Sequence, residues 1–144
     1  MKITKVYTTI LIAIVTIGML SISGCKDNGP SALDVRTKAL TASGWKVNAV
    51  TIDGVDRTAQ HASMTLTFSA SEYTTTNGGF VWPASGTWAF AGADATIITR
   101  SDGVEITVVE LTDASLKLSF AWTGTYQQGR VSSLRGNHIF SFVK

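Results

Sequence analysis

SMTLTFSASEYTTTNGG, residues 63–79, decides the fold class. Met64, Leu66 and Phe68 alternate with Ser63, Thr65 and Thr67, so one side of the run is apolar and the other polar. A period of two is that of a β-strand, whose successive side chains point to opposite faces. EYTTT, residues 72–76, is again rich in strand formers and stops at Asn77-Gly78-Gly79. An Asn-Gly pair between two such runs predicts a hairpin, because these residues tolerate the positive φ of a tight turn.

The same pattern extends in both directions. WKVNAVTI, residues 45–52, is a strand closed by Asp53-Gly54, and residues 55–61 read as a connection. Beyond the hairpin, Pro83 argues against one unbroken strand through 80–90. The expectation is a short strand at 80–82, a bend, and a strand at 86–91. Further strands follow at 94–100 and 104–110, joined by Ser101-Asp102-Gly103. SLKLSFAW, residues 115–122, places Leu116, Leu118, Phe120 and Trp122 on one face. Residues 123–137 form the longest stretch without alternation, and HIFSFV, residues 138–143, is the closing strand. Before all of these, residues 31–40 predict a short helix capped by Ser31, with Leu33, Thr37 and Leu40 near one face.

Tight turns between successive strands make them antiparallel neighbours. Nothing here has the length or composition of a crossover helix. The expected fold is therefore all-β, an antiparallel meander curled into a small barrel, since closure removes the two open edges. A two-sheet β-sandwich is the alternative, because a period of two fits both.

The start of the chain has a different character. Lys2 and Lys5 precede an uncharged run, Val6 to Ile22, that ends at Ser23-Gly24-Cys25. A basic tip, an apolar core and a small-residue exit describe a secretory signal segment. Ile22-Ser23-Gly24-Cys25 resembles the lipobox of bacterial lipoproteins. That resemblance implies cleavage before Cys25, attachment of its thiol to diacylglycerol and acylation of the new amino terminus. Lys26-Asp27-Asn28 is similar to the charged tether of surface lipoproteins in Bacteroidetes-type bacteria. The expected organisation is a signal peptide at 1–24, a lipidated cysteine and tether at 25–32, and one β domain at 33–144. The expected location is the bacterial cell envelope, lipid-anchored, in the outer membrane.

Charge and composition exclude several function classes. Of the 12 lysine and arginine residues, Lys2 and Lys5 fall in the signal segment, so the remainder balance the 10 acidic residues. No basic stripe is left for nucleic acid. Cys25 is the single cysteine, so the domain has no internal disulfide and its core must supply the stability.

Catalytic patterns are missing as well. His61 and His138 are the only histidines and stand far apart in sequence. There is no His-x-His, His-Glu-x-x-His or cysteine cluster, and no Gly-x-Ser-x-Gly elbow around Ser85. Glu105 and Glu110 lie five residues apart on one strand, which places them on opposite faces rather than as a carboxylate pair. Asp53, Asp56 and Asp102 are turn formers. The sequence therefore predicts a non-enzyme with no cofactor and no metal.

The tryptophans carry more information. Trp45, Trp88 and Trp122 share strand phases with other apolar residues and are expected in the core. Trp82, next to Pro83 and close to Phe80, is expected at a rim, where the pair either contacts a ligand, glycan or partner or covers the end of the barrel. Phe80, Trp82, Tyr126, Arg130 and Arg135 are the candidates for ligand or partner contact. In this reading the rings line a mouth, and Arg130 receives an acidic headgroup.

Gly44-Trp45-Lys46-Val47, Leu66-Thr67-Phe68 with Glu72-Tyr73-Thr74, and Gly86-Thr87-Trp88 together resemble the lipocalin-like domains of Bacteroidetes lipoproteins, over residues 40–122. The resemblance implies a β-barrel that holds a small apolar or amphipathic ligand. The competing expectation is a structural or adhesive surface domain whose solid barrel binds an envelope protein or a glycan.

Overall fold

The computed structural model describes residues 29–124 and 134–144. Cys25, Tyr126 and Arg130 lie outside the described residues. A helix, α1 (Ala32–Thr41), precedes nine strands. They are β1 (Trp45–Ile52), β2 (Val55–Asp56), β3 (Thr65–Phe68), β4 (Glu72–Thr76), β5 (Ser85–Phe90), β6 (Ile97–Arg100), β7 (Glu105–Leu111), β8 (Ser115–Trp122) and β9 (Gly136–Val143). A single 3-10 turn spans Thr58–His61 between β2 and β3.

From β3 to β9 each strand pairs antiparallel with the next in sequence. Closure is made by β1. One edge of it pairs with β3 through Trp45↔Leu66 and Lys46↔Thr65. Its other edge pairs with β9 from Lys46↔Val143 to Ile52↔His138. The ring is thus an eight-stranded barrel, and two-residue β2 is an appendage to the end of β1. This closed barrel is the expected fold, and the β1–β9 pairing removes the sandwich alternative.

Two β-bulges give the ring its curvature. In β1 the register shifts between Val47 and Ala49, so Asn48 is the extra residue. In β7 it shifts between Val108 and Glu110, with Val109 extra. Each bulge swaps which alternate positions face inward. Trp45 and Val50 are both buried in β1, and in β7 Ile106 and Val108 are followed inward by Leu111. The bulge also overturns the expectation for Glu105 and Glu110. The extra residue returns them to the same, exposed, outer face.

The interior is filled by rings and branched chains. Trp45, Leu66, Phe68, Tyr73, Trp82, Ile98, Ile106, Leu118, Phe140 and Phe142 are all 2% exposed or less. Burying a side chain of this size stabilises by about 1.5–3 kcal/mol each, which offsets the ordering entropy without a disulfide. Gly86 is required by this packing. It stands opposite Tyr73 in the β4–β5 ladder, and a Cβ there would lie 2.7 Å from the Tyr73 hydroxyl oxygen.

One end of the barrel is shut by α1. Ser31 Oγ accepts from the Asp34 amide at 3.1 Å while Asp34 Oδ2 accepts from the Ser31 amide at 3.3 Å, a reciprocal cap. Trp45 Nε1 donates to the Leu40 carbonyl at 2.9 Å, and Arg36 Nε donates to the Ala95 carbonyl at 2.8 Å in the β5–β6 turn. Leu40 is buried as expected, whereas Leu33 stays 37% exposed. The other end, the mouth, carries the β1–β3, β4–β5, β6–β7 and β8–β9 connections.

Candidate functional site at the barrel mouth

The β4–β5 connection decides the shape of the mouth. The expected strand at 80–82 does not form. The Trp82 amide instead donates to the Gly78 carbonyl at 3.2 Å, turning the chain inward. Thr75 holds the returning segment, its amide donating to the Ala84 carbonyl at 2.8 Å and its hydroxyl to the Pro83 carbonyl at 2.9 Å. Gly78 permits the turn, because a Cβ there would lie 2.6 Å from Trp82 Cβ. Proline has no N–H for a ladder, so a turn costs this segment less than a strand would.

Trp82 consequently lies inside the barrel and covers this end of it, while Phe80 stays at the surface. Trp82 is 1% exposed. Its ring meets Tyr73 and Phe120 edge-on at centroid distances of 5.7 Å, and Phe140 at 6.1 Å. Its upper side is held by Arg100, whose guanidinium carbon stands 4.8 Å from the Trp82 ring centroid and 5.7 Å from that of Tyr73. Arg100 Nη1 donates to the Val81 carbonyl at 2.9 Å, fixing the plug segment. Arg100 Nε donates to Asp102 Oδ1 at 3.1 Å, and Nη2 pairs with Asp102 Oδ2. Burial pushes the Asp102 carboxyl up, but the Arg100 hydrogen bond and charge outweigh it and hold it below the usual carboxylate range.

The two histidines, far apart in sequence, pack against the same Phe120 and Phe140 rings that Trp82 meets. His61 meets Phe140 edge-on at 5.0 Å. His138 stacks on Phe120 at 5.5 Å and on Phe140 at 6.0 Å. His138 Nε2 is 2.7 Å from the Leu134 carbonyl. Burial lowers the pKa of His61, and the nearby His138 lowers it further. His138 is also lowered by burial, against the opposing pull of the Leu134 carbonyl and Asp53. Both nitrogens of His61, His138 Nδ1 and Trp82 Nε1 are buried with no hydrogen-bond partner among the described residues.

Outside the plug is a hollow of about 310 Å³, lined by Phe80, Pro83, Asp102, Val104, Trp122 and Gly124 among others. Phe80 is 62% exposed, Trp122 only 8%. Trp122 Nε1 is a buried donor with no partner among the described residues. Exposed Arg135 reaches the edge of this hollow, its Nη2 donating to the Gly124 carbonyl at 3.4 Å. Phe80 and Trp82, two residues apart, thus face opposite ways, Phe80 the outer hollow and Trp82 the barrel interior. Sequence reasoning missed Arg100, Asp102, Trp122 and the histidine pair as parts of one end. A signal for Arg100 existed, since it shares the strand phase of buried Ile98 and so places a charge on the inner face.

The lipocalin-like domain family matches residues 43–118, more than half of the chain. The chain belongs to that family. No curated protein matches it. The lipocalin-like match spans β1 to the first half of β8, and so includes the plug, Arg100 and Asp102. Among the described residues no group of three or more His, Cys, Asp or Glu side chains could hold a metal ion. The domain is a lipocalin-like barrel.

Proposed function

We propose that this lipocalin-like domain binds a small amphipathic molecule at its mouth while anchored to a membrane through Cys25. The observation that carries the binding reading is the hollow of about 310 Å³ above the Trp82 plug, which reaches the ~300 Å³ lower bound of ordinary ligand pockets. Phe80, Pro83 and Val104 offer apolar surface, Trp122 Nε1 a donor with no partner among the described residues, and Asp102 a carboxylate. A few polar groups converging on an apolar wall is the chemistry of a ligand pocket. Tyr126 and Arg130 belong to the same β8–β9 connection and are proposed as further contacts, with Arg135 at the edge.

The anchoring half rests on Lys2, Lys5, the uncharged run and Ile22-Ser23-Gly24-Cys25. In this reading the chain is an envelope lipoprotein of Bacteroidetes type, in the outer membrane, carried by more than one acyl chain as stable anchoring requires. A second reading has its own support. The filled barrel leaves Phe80 on the surface, which suits a structural or adhesive domain binding an envelope protein or glycan.

The test is binding of an anilinonaphthalene sulfonate dye to residues 26–144 purified without refolding, with mass spectrometry for a co-purified molecule. Saturable dye emission that falls in Phe80→Ala and Trp122→Phe, at unchanged thermal stability, is the expected result. Emission indifferent to both substitutions, with no co-purified small molecule, overturns the pocket in favour of the interaction role.

A further inference from the structure

The two ends of the barrel differ in surface as well as in closure. Among the described residues seven large hydrophobic side chains are exposed, and only Val55 and Phe80 belong to the mouth. The other five, Leu33, Val35, Ile97, Val109 and Val143, form a collar at the α1 end. Leu33 and Val35 are on α1 itself. Ile97 opens β6 beside the β5–β6 turn, Val109 is the bulge residue near the end of β7, and Val143 closes β9. The lysines follow the same division. Lys38 on α1, Lys46 at the start of β1, Lys117 near the start of β8 and Lys144 are all the lysines among the described residues, and all lie at this end. Carboxylates at the same end, Asp34, Glu72, Asp94, Glu110 and Asp113, match the charge of these lysines and Arg36.

The chain enters the domain here. Pro30 precedes α1, and from Cys25 to Pro30 an extended chain reaches at most ~18 Å. An anchor at Cys25 therefore holds the start of α1 within a chain-length of the bilayer.

We propose that the α1 end is a membrane-facing surface whose partner is the headgroup layer of the bilayer that carries the Cys25 lipid. This rests on the lipidation reading above. The collar of apolar side chains rests at the interface, and the lysines extend their stems along it with their ammonium groups in the headgroup layer. Because the local charges cancel, apolar contact and the short tether set the orientation, not attraction to anionic lipid. The mouth then opens away from the membrane, and its ligand arrives from the aqueous side.

The lipid on Cys25 makes the test clean, since any introduced cysteine is the one free thiol. Full-length protein is expressed in a lipidating bacterium, its acylation measured by mass, and the mature form reconstituted in phosphatidylcholine vesicles. An environment-sensitive dye is placed by Val35→Cys at the collar or by Phe80→Cys at the mouth, with Val109→Cys as a second collar site. Nitroxide-labelled lipids should quench both collar dyes several-fold more than the mouth dye, equally at low and high salt. Acylated protein whose mouth dye is quenched as strongly as the collar, or whose collar dyes are not quenched, overturns the orientation alone. Protein with no lipid adduct overturns the anchoring itself.

Discussion

The four tryptophans divide between the two ends of the barrel, and the division separates finished structure from unused bonding capacity. At the α1 end both indole N–H groups are satisfied. Trp45 donates to the Leu40 carbonyl, and Trp88 lies 3.1 Å from each of the Ser69 and Glu72 carbonyls. At the mouth neither is. Trp82 Nε1 and Trp122 Nε1 are buried without partners among the described residues, and so are three of the four imidazole nitrogens. Burying a polar group without a hydrogen bond costs about 1–3 kcal/mol. Among the described residues the mouth thus holds five such atoms, and the α1 end one, Ser43 Oγ. Strained or unsatisfied groups concentrate where a protein does something other than hold itself together.

The cation–tryptophan contacts at the two ends test this difference most strongly. Arg100 over Trp82 and Lys144 over Trp45 have nearly equal separations, 4.8 and 4.9 Å. Their surroundings differ, since Arg100 is 2% exposed whereas Lys144 is exposed. Arg100→Met removes a buried guanidinium together with its bonds to Asp102 and Val81, and should cost about 3 kcal/mol in urea unfolding. Lys144→Met should cost no more than about 1 kcal/mol, as for exposed cation–ring pairs. Equal losses would erase the distinction between plug and lid.

A smaller effect comes from the indoles themselves. Trp45→Phe strands the Leu40 carbonyl in the closed end and should cost about 2 kcal/mol. Trp82→Phe removes a donor that has no partner among the described residues, so only lost volume counts, about 1 kcal/mol. If Trp82→Phe is the more damaging of the two in the same unfolding assay, its N–H has a partner outside the described residues.

The smallest effect is the response to pH. His61 and His138 have pKa values lowered by burial, so the unfolded chain takes up protons near the ordinary histidine pKa of about 6.5 while the folded chain does not. Their contribution is complete above that pH and is lost as the pH falls below it. The melting temperature should therefore drop between pH 7 and pH 5. His61→Phe, which keeps the ring against Phe140, should flatten the drop. A melting temperature as steeply pH-dependent in His61→Phe as in the wild type would move the titration elsewhere.

Much of this architecture was legible from local chemistry. Side-chain period, turn residues and a cap act within a few residues, so SMTLTFS, SLKLSFAW and the Ser31 cap stand where their patterns put them. Even the bulges left a trace, a spacing of three between the apolar positions Val47 and Val50, and again between Val108 and Leu111. The proposed membrane anchor rests on a signal of the same local kind, the order of charge, apolar run and small residues before Cys25. The mouth was not legible in this way. Whether residues 80–82 extend a strand or turn inward depends on the free space in the barrel. That space is set by Tyr73, Phe120 and Phe140 from three other strands. Likewise His61 and His138 meet only because β1 closes on β9, a pairing between distant segments that no local pattern encodes. Local preference determined the strands and most of their facing. Closure, which makes residues far apart in sequence compete for one interior, decided that Trp82 became the plug and Phe80 the surface.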